Sequence, residues 1–343
     1  MEFIRVEDCC EILDSQRKPV TESERIPGMY PYYGANGMQG TINQYIFDDK
    51  LVLVAEDGGH FGSKTKPIAY LVNGKCWVNN HAHVLRAKKG FLVEYICYSL
   101  MFYKIEGYIN GATRQKLTQA ALRKLIIPKR SEEYQKAIVD RLDLVKCIIK
   151  NKQIIIKELD QLIKSRFNEL IMVDECDKLM FEDLFFCTTG KLDANAAAID
   201  GRYPFFTCAK EIFYINDYAF DQEALLLAGN NAAGKYDVKY YNGKFNAYQR
   251  TYVLSLRKQG IYSIFKKQLE DKLEYLQSKS KGSTTRYLTM GILKNLTFLV
   301  PDMEIQVKLD QEIQHINKLK SDVQKSIDET QLLMDSLMQE YFG

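Results

Sequence analysis

No stretch of this chain stays apolar for the roughly 20 residues that a membrane span requires. The opening residues Met1-Glu2-Phe3-Ile4-Arg5-Val6-Glu7-Asp8 hold no apolar signal core. The eight cysteines include no Cys-x-x-Cys pair and share no spacing between the two halves, which excludes a disulfide framework and reads as thiols in a reducing compartment. These absences predict a cytoplasmic protein with no membrane partner. Catalytic chemistry is missing too: no Ser/His/Asp or Cys/His arrangement recurs. Proline and glycine are absent from Ser131 to Ile171, so nothing there interrupts a helix.

What the chain does contain, it contains twice. Tyr30-Pro31-Tyr32-Tyr33 returns as Tyr203-Pro204-Phe205-Phe206, and Asn43-x-Tyr45-x-Phe47-Asp48 as Asn216-x-Tyr218-x-Phe220-Asp221. The apolar run Leu51–Ala55 returns as Ala224–Ala228, and all three matches share an offset of 173. Further on, Gly111-Ala112-Thr113 with Leu117-Thr118 and Leu122 returns as Gly282-Ser283-Thr284 with Leu288-Thr289 and Leu293, at an offset of 171. A period near half the chain is too long for a solenoid and means two copies of one domain. The length of 343 residues and a hydrophobic content of 46% allow each copy its own core.

Two segments carry a heptad stripe. In Ser131–Ile171 apolar residues fall at Ile138, Leu142, Val145, Ile149, Ile156, Leu159, Ile163 and Leu170, alternating steps of four and three if Lys152 and Arg166 fill the gaps. In Met303–Tyr341 the stripe is Leu309, Ile313, Ile316, Lys320, Val323, Ile327, Thr330, Met334, Leu337 and Tyr341. Each helix would run about 60 Å. Packing the two on each other, antiparallel, buries both stripes and holds the globular units apart; pairing with another chain or with its own domain is the alternative. Within the units, Leu51–Ala55, Ala224–Ala228, Ile68–Val72, Trp77–Leu85, Val238–Tyr241 and Tyr252–Leu256 read as strands. Phe91–Lys104 and Ile261–Leu276 read as helices, and Pro128 and Pro301 close the units. The expected fold class is mixed α+β: two similar globular α/β domains, 1–128 and 172–301, joined by long coiled-coil helices, 129–171 and 302–343.

Charge is nearly balanced at +3 overall; residues 1–171 hold 26 Lys+Arg against 20 Asp+Glu, and the remainder 21 against 24. Locally it is not. Lys104–Arg130 has seven basic residues and one acid, and Arg257–Arg286 has eight and three. Both clusters surround the repeated Gly-x-Thr motif, as either a phosphate-binding surface or a solvated helix face. Gly229-Asn230-Asn231-Ala232-Ala233-Gly234-Lys235-Tyr236 resembles a nucleotide loop, but Tyr236 stands where Ser or Thr would hold magnesium, and no helix follows. His81-x-His83 has metal-ligand spacing, but no partner cysteine is near and the second copy has Arg250 and Tyr252 there. Copies that share core residues but not titratable ones look like paired binding domains.

The repeated order of globular domain and long helix, the Tyr-Pro-x-Tyr/Phe start, the Gly-Ala/Ser-Thr loop and the proline before each helix resemble the DNA specificity subunit of type I restriction-modification systems. That resemblance implies two target-recognition domains, each reading half of an asymmetric, bipartite double-stranded DNA site. It implies helices that dock two methyltransferase (M) subunits, in a complex that restriction (R) subunits complete. The chain itself would be non-catalytic and cofactor-free, with S-adenosylmethionine, ATP and Mg on the partner subunits. The absence of an Asn-Pro-Pro-Tyr/Phe motif agrees with that division. Groove edges are read by polar side chains on loops. In the first copy the candidates are Asn36, His60, Lys64, Asn79, Asn80, His81, Arg114, Gln115 and Lys116, with Gly58, Gly59 and Gly62 allowing close backbone approach. In the second they are Lys210, Asn230, Asn231, Lys235, Tyr248, Gln249, Arg250, Thr285 and Arg286. Two other readings remain: a specificity module serving a stand-alone methyltransferase or bifunctional restriction enzyme, and a structural adaptor that dimerises through its helices and binds protein.

Overall fold

The computed structural model describes every residue except Met1, 112–114, 173–175 and Ala233. The chain divides into two compact units: Met1–Gln153 with Lys325–Gly343, and Ile154–Gln324. The first unit holds a six-stranded sheet of β1 (Cys10–Ile12), β2 (Tyr30–Gly34), β3 (Gly37–Ile42), β4 (Phe47–Ala55), β5 (Ala69–Val78) and β6 (Ala82–Ala87), in the order β1-β6-β4-β5-β2-β3. The second holds β7 (Phe185–Thr189), β8 (Tyr203–Phe206), β9 (Phe213–Ile215), β10 (Phe220–Ala228), β11 (Val238–Ala247) and β12 (Thr251–Leu256), in the order β7-β12-β10-β11-β8-β9. The two orders are the same once the repeat is applied. Among the described residues β2–β5 and its counterpart β8–β11 pair in parallel, and the other ladders of both sheets are antiparallel.

The apolar runs are the central strands, and both faces of each are covered. Side chains alternate across a strand. Val52 and Val54 therefore enter one core with Tyr95, Ile96 and Leu100 of the helix Val93–Met101, while Leu51 and Leu53 enter the opposite core with Val72, Val78 and Val84. In the second unit Leu225 and Leu227 join Phe265 and Leu269 of the helix Tyr262–Asp271, while Ala224 and Leu226 join Phe206 and Phe245. Burying each large apolar side chain contributes roughly 1.5–3 kcal/mol. Two-stranded ribbons, Phe3–Arg5 with Ile126–Pro128 and Asp177–Met180 with Thr297–Val300, stand beside the prolines at the entry to each long helix.

Two expected elements are divided. The run Trp77–Leu85 is not one strand: β5 ends at Val78 and β6 begins at Ala82. Asn79 turns the chain, because its Oδ1 accepts the His81 amide at 2.8 Å. The helix expected over Ile261–Leu276 breaks at Lys272, whose amide bonds Leu269 O at 3.1 Å and whose ammonium lies 5.2 Å from the Phe298 ring centroid. Leu273–Lys279 continues as a separate helix.

The long helices run Glu132–Met172 and Met303–Phe342. From Lys146 to Leu162 the only positions not exposed are 149, 152, 156 and 159, the expected stripe. In the first unit Arg141 bonds the Tyr341 hydroxyl at 3.1 Å and Lys152 bonds Thr330 Oγ1 at 2.7 Å, so one helix descends as the other rises. In the second unit Arg166 grips Glu312 with two hydrogen bonds of 2.9 Å, and Ile163 and Phe167 pack with Leu309, Ile313 and Ile316. The polar residues at stripe positions are thus satisfied by the facing helix. Lys152 also donates to Ser326 O and Oγ.

Each unit is fastened to its helix by the same residue. Gln135, fully buried in the first turn, accepts the Leu92 amide at 2.9 Å and donates to Gly90 O and Arg130 O, both at 3.0 Å. Gln306 accepts the Ile261 amide at 2.9 Å and donates to Pro301 O at 2.8 Å. Among the described residues no helix is long and apolar enough to cross a membrane.

Candidate nucleic-acid interface

The end of β4 is where the first unit's loops meet. Asn36 Nδ2 donates to Gly58 O at 2.9 Å, His81 Nδ1 lies 2.6 Å from Asp57 Oδ1, and Lys116 Nζ lies 2.9 Å from Glu56 Oε1. Glu56, Asp57 and Gly58 are consecutive, so three separate loops converge on one turn. Asn80 is exposed at the tip of the β5–β6 turn, and Gln115 is exposed beside Lys116. Asn79 is buried, with its amide spent on the His81 backbone and Gln39; it shapes the turn that presents its two neighbours. His60 is partly exposed in the loop after the turn. Lys64 falls elsewhere: it lines a groove with Phe102, Tyr103 and Met338 at the far end of that loop. Arg114 lies outside the described residues. Gly58 and Gly62 adopt φ of +63° and +74°, as a glycine-dependent loop demands.

The second unit repeats the convergence at the end of β10. Asn230 and Asn231 pair with Tyr287 and Arg286, and the Arg250 guanidinium lies 5.1 Å from the Tyr287 ring centroid. Tyr248, Gln249 and Arg250 form the β11–β12 turn, with Thr251 N bonding Tyr248 O at 2.8 Å. Lys235 is exposed, its amide bonding Asn231 Oδ1 at 3.1 Å. Thr285 adjoins Arg286, which donates to Gln277 O at 3.3 Å. Lys210 is exposed on a loop tied to the same turn through Cys208 Sγ, 3.4 Å from Arg250 O. Each unit therefore gathers amides, guanidinium or imidazole, and ammonium groups at one end of its sheet, the donor set that reads base edges and phosphates.

Beneath the first unit's loops lies a buried ionic cluster that sequence reasoning missed. His83, fully buried, presents Nδ1 to Asp14 Oδ2 at 2.6 Å and Nε2 to Leu117 O at 2.8 Å. Asp14 Oδ1 accepts the Val84 amide, and Gln119 donates to Oδ2. Glu56 is bound by Arg17 at 2.7 Å and by Lys116. Asp14, Glu56 and His83 bring donor atoms within 4.8 Å of one another, but Arg17 and Lys116 already supply the positive charge a metal would bring. Burial pushes the Asp14 carboxyl up, yet the hydrogen bond and charge of His83, with Gln119 and the Val84 amide, outweigh it and hold it below the ordinary value. Burial likewise raises Glu56, and Lys116 and Arg17 more than reverse it.

Carboxylates depressed in the folded state contribute stability above their unfolded pKa near 4, and that contribution is lost as pH falls through the folded value. The first unit should therefore lose stability steeply below about pH 4. Trp77, the single tryptophan, lies in this unit and reports it alone. Asp14→Asn should flatten the acid dependence of the Trp77 fluorescence melt. An unchanged slope would remove the cluster as its cause.

The sequence matches the family model described as type I restriction modification DNA specificity domain over residues 1–161 and 179–328. It is 39% identical over 146 residues to the type I restriction enzyme EcoDI specificity subunit of Escherichia coli, covering 40% of this chain and 31% of that protein. It is 34% identical over 143 residues to a putative type I restriction enzyme specificity subunit of Haemophilus influenzae, covering 42% and 37% respectively. The matched region thus spans about a third of each of these curated relatives. The fold is similar to that of the S subunit of a type I restriction-modification system from M. genitalium, with TM-score 0.58, 14% identity, and coverage of 100% of this chain and 96% of that one. With a family match over both copies of the repeat, the chain belongs to the type I restriction-modification DNA specificity family.

Proposed function

We infer that this chain is the DNA-reading subunit of a type I restriction-modification complex. Each unit reads one half of an asymmetric, bipartite double-stranded site, and the long helices dock the methyltransferase subunits. The observation that carries this reading is the pair of equivalent loop clusters, built on one scaffold but lined with different side chains. Asn36, Asn80, His81 and Lys116 in one unit face the same place in the fold as Asn230, Arg250 and Arg286 in the other. One scaffold with two sets of donors suits two different half-sites. Methyl transfer and cleavage, with S-adenosylmethionine, ATP and Mg, belong to partner subunits acting in the cytoplasm.

Docking is supported by apolar residues that the helix pairing leaves in solvent. On the first long helix Leu144 is 61% and Ile148 37% exposed in the first unit. In the second unit Ile155 and Leu162 are exposed at the heptad position of Ile148. Exposed apolar residues at helical spacing mark a partner surface.

The test is methylation mapping of genomic DNA from cells carrying this chain with its methyltransferase subunits. The expected motif is bipartite and asymmetric, with a central run of unspecified bases. For the purified chain, binding to random-sequence DNA should fall steeply with added salt, as counterion release requires. An adaptor protein would give neither a motif nor a salt-dependent affinity, and that result would end the reading.

A further inference from the structure

One main-chain residue is held in the same way in both units, by different chemistry. In the first unit Leu117 N donates to Glu56 O at 2.8 Å, and Leu117 O faces His83 Nε2 at 2.8 Å. A carbonyl only accepts, so Nε2 carries the hydrogen. In the second unit Leu288 N donates to Gly229 O at 2.8 Å, and the Tyr252 hydroxyl donates to Leu288 O at 2.9 Å. Leu117 and Leu288 are repeat equivalents, as are Glu56 and Gly229, and His83 and Tyr252 are each the second residue of equivalent strands. Each leucine is thus fixed at both amide and carbonyl.

We propose that His83 and Tyr252 are positioning residues for DNA reading, each clamping the segment of its unit that leads into the leucine, Gln115–Leu117 or Thr285–Leu288, to the turn that ends the central strand. The inference rests on the reading of DNA by these loops. Immediately before the clamped leucines come Gln115-Lys116 and Thr285-Arg286-Tyr287. The clamp sets where those donors stand relative to Asn80 and His81, or to Gln249 and Arg250. Base discrimination depends on donors held within a narrow geometry, so a freed loop retains charge but loses selectivity.

The two clamps also carry different neighbours. A Cβ at Gly229 would come within 2.3 Å of the Arg250 carbonyl oxygen and 3.0 Å of the Tyr252 ring. In the first unit the smaller imidazole sits with Glu56, whose carboxylate lies 3.6 Å from His83 Nδ1. The tyrosine clamp goes with glycine and the histidine clamp with glutamate, which makes a transplant possible.

The experiment maps methylation in cells carrying the complete complex, with the genome as probe. Tyr252→Phe removes one hydroxyl. It should raise methylation at sites with one wrong base in a single half-site by about five- to tenfold, the worth of one net hydrogen bond, and leave the other half unchanged. In the first unit, Glu56→Gly with His83→Phe should relax the other half-site further than Glu56→Gly with His83→Tyr does. Those two variants differ by one oxygen, so a folding defect would affect both alike. An unaltered motif in Tyr252→Phe, equal relaxation of both halves, or identical behaviour of the Tyr and Phe transplants would overturn the clamp. A wild-type map showing one continuous target would instead remove the two-reader reading, and the clamp with it.

Discussion

Exchanging residues 1–128 for the first recognition domain of another specificity subunit should replace one half of the methylated motif and leave the other half unchanged. The expectation follows from where the contacts lie. The loops gathered at the end of β4 all come from residues before Pro128, and those at the end of β10 all come from the second unit. Each sheet has its own two cores, formed within its own unit. A half-site read by several base contacts loses about 1–3 kcal/mol per mismatch, so exchange of the whole loop set should abolish methylation of the original half-site. The measurement is the same genomic map. A change in both half-sites would show that the units do not read independently.

The second large effect sets two neighbouring leucines against each other. Leu142 is fully buried in the core shared by the first sheet, its helix and the end of the second long helix. Leu142→Asp would bury a carboxylate with no partner, a cost of several kcal/mol. Against a typical total stability of about 5–15 kcal/mol, that should unfold the first unit or leave the protein insoluble. Leu144 is 61% exposed, and Leu144→Asp should change stability by no more than about 0.5 kcal/mol. It should nevertheless abolish co-purification with a methyltransferase subunit. Trp77 fluorescence melts and affinity capture separate the two effects. Leu142→Asp melting like the parent would refute the burial argument, and normal capture by Leu144→Asp would remove this face from the docking surface.

The repeat made much of this architecture legible. The matched runs Leu51–Ala55 and Ala224–Ala228 identify the central strands because a strand buried on both faces has no polar alternation to obscure it. The heptad stripe was legible even through Lys152 and Arg166, because spacing persists where polarity does not. Other features were not. Asn79 reads as one more polar residue in an apolar run, and only the bond from its side chain to the His81 amide reveals a turn. Lys272 breaks its helix without proline or glycine, at a half-buried position that depends on packing against Phe298. His83 and Tyr252 align in the repeat, but the carbonyl that each bonds lies more than thirty residues away in sequence, where spacing gives no sign of it. Gln135 and Gln306 also fall at the repeat offset, yet a glutamine in the first turn of a helix looks like surface until its partners are known.

That glutamine has a consequence for how such a protein changes over generations. Among the described residues every side-chain partner of Gln135 and Gln306 is a main-chain amide or carbonyl. A socket that grips only backbone is indifferent to the side chains of what it receives. An incoming domain that keeps its chain path near the proline would seat on the helix whatever bases its loops had been selected to recognise. If the loops read DNA as proposed, recombination at that joint would renew the specificity in one step, without rebuilding the connection.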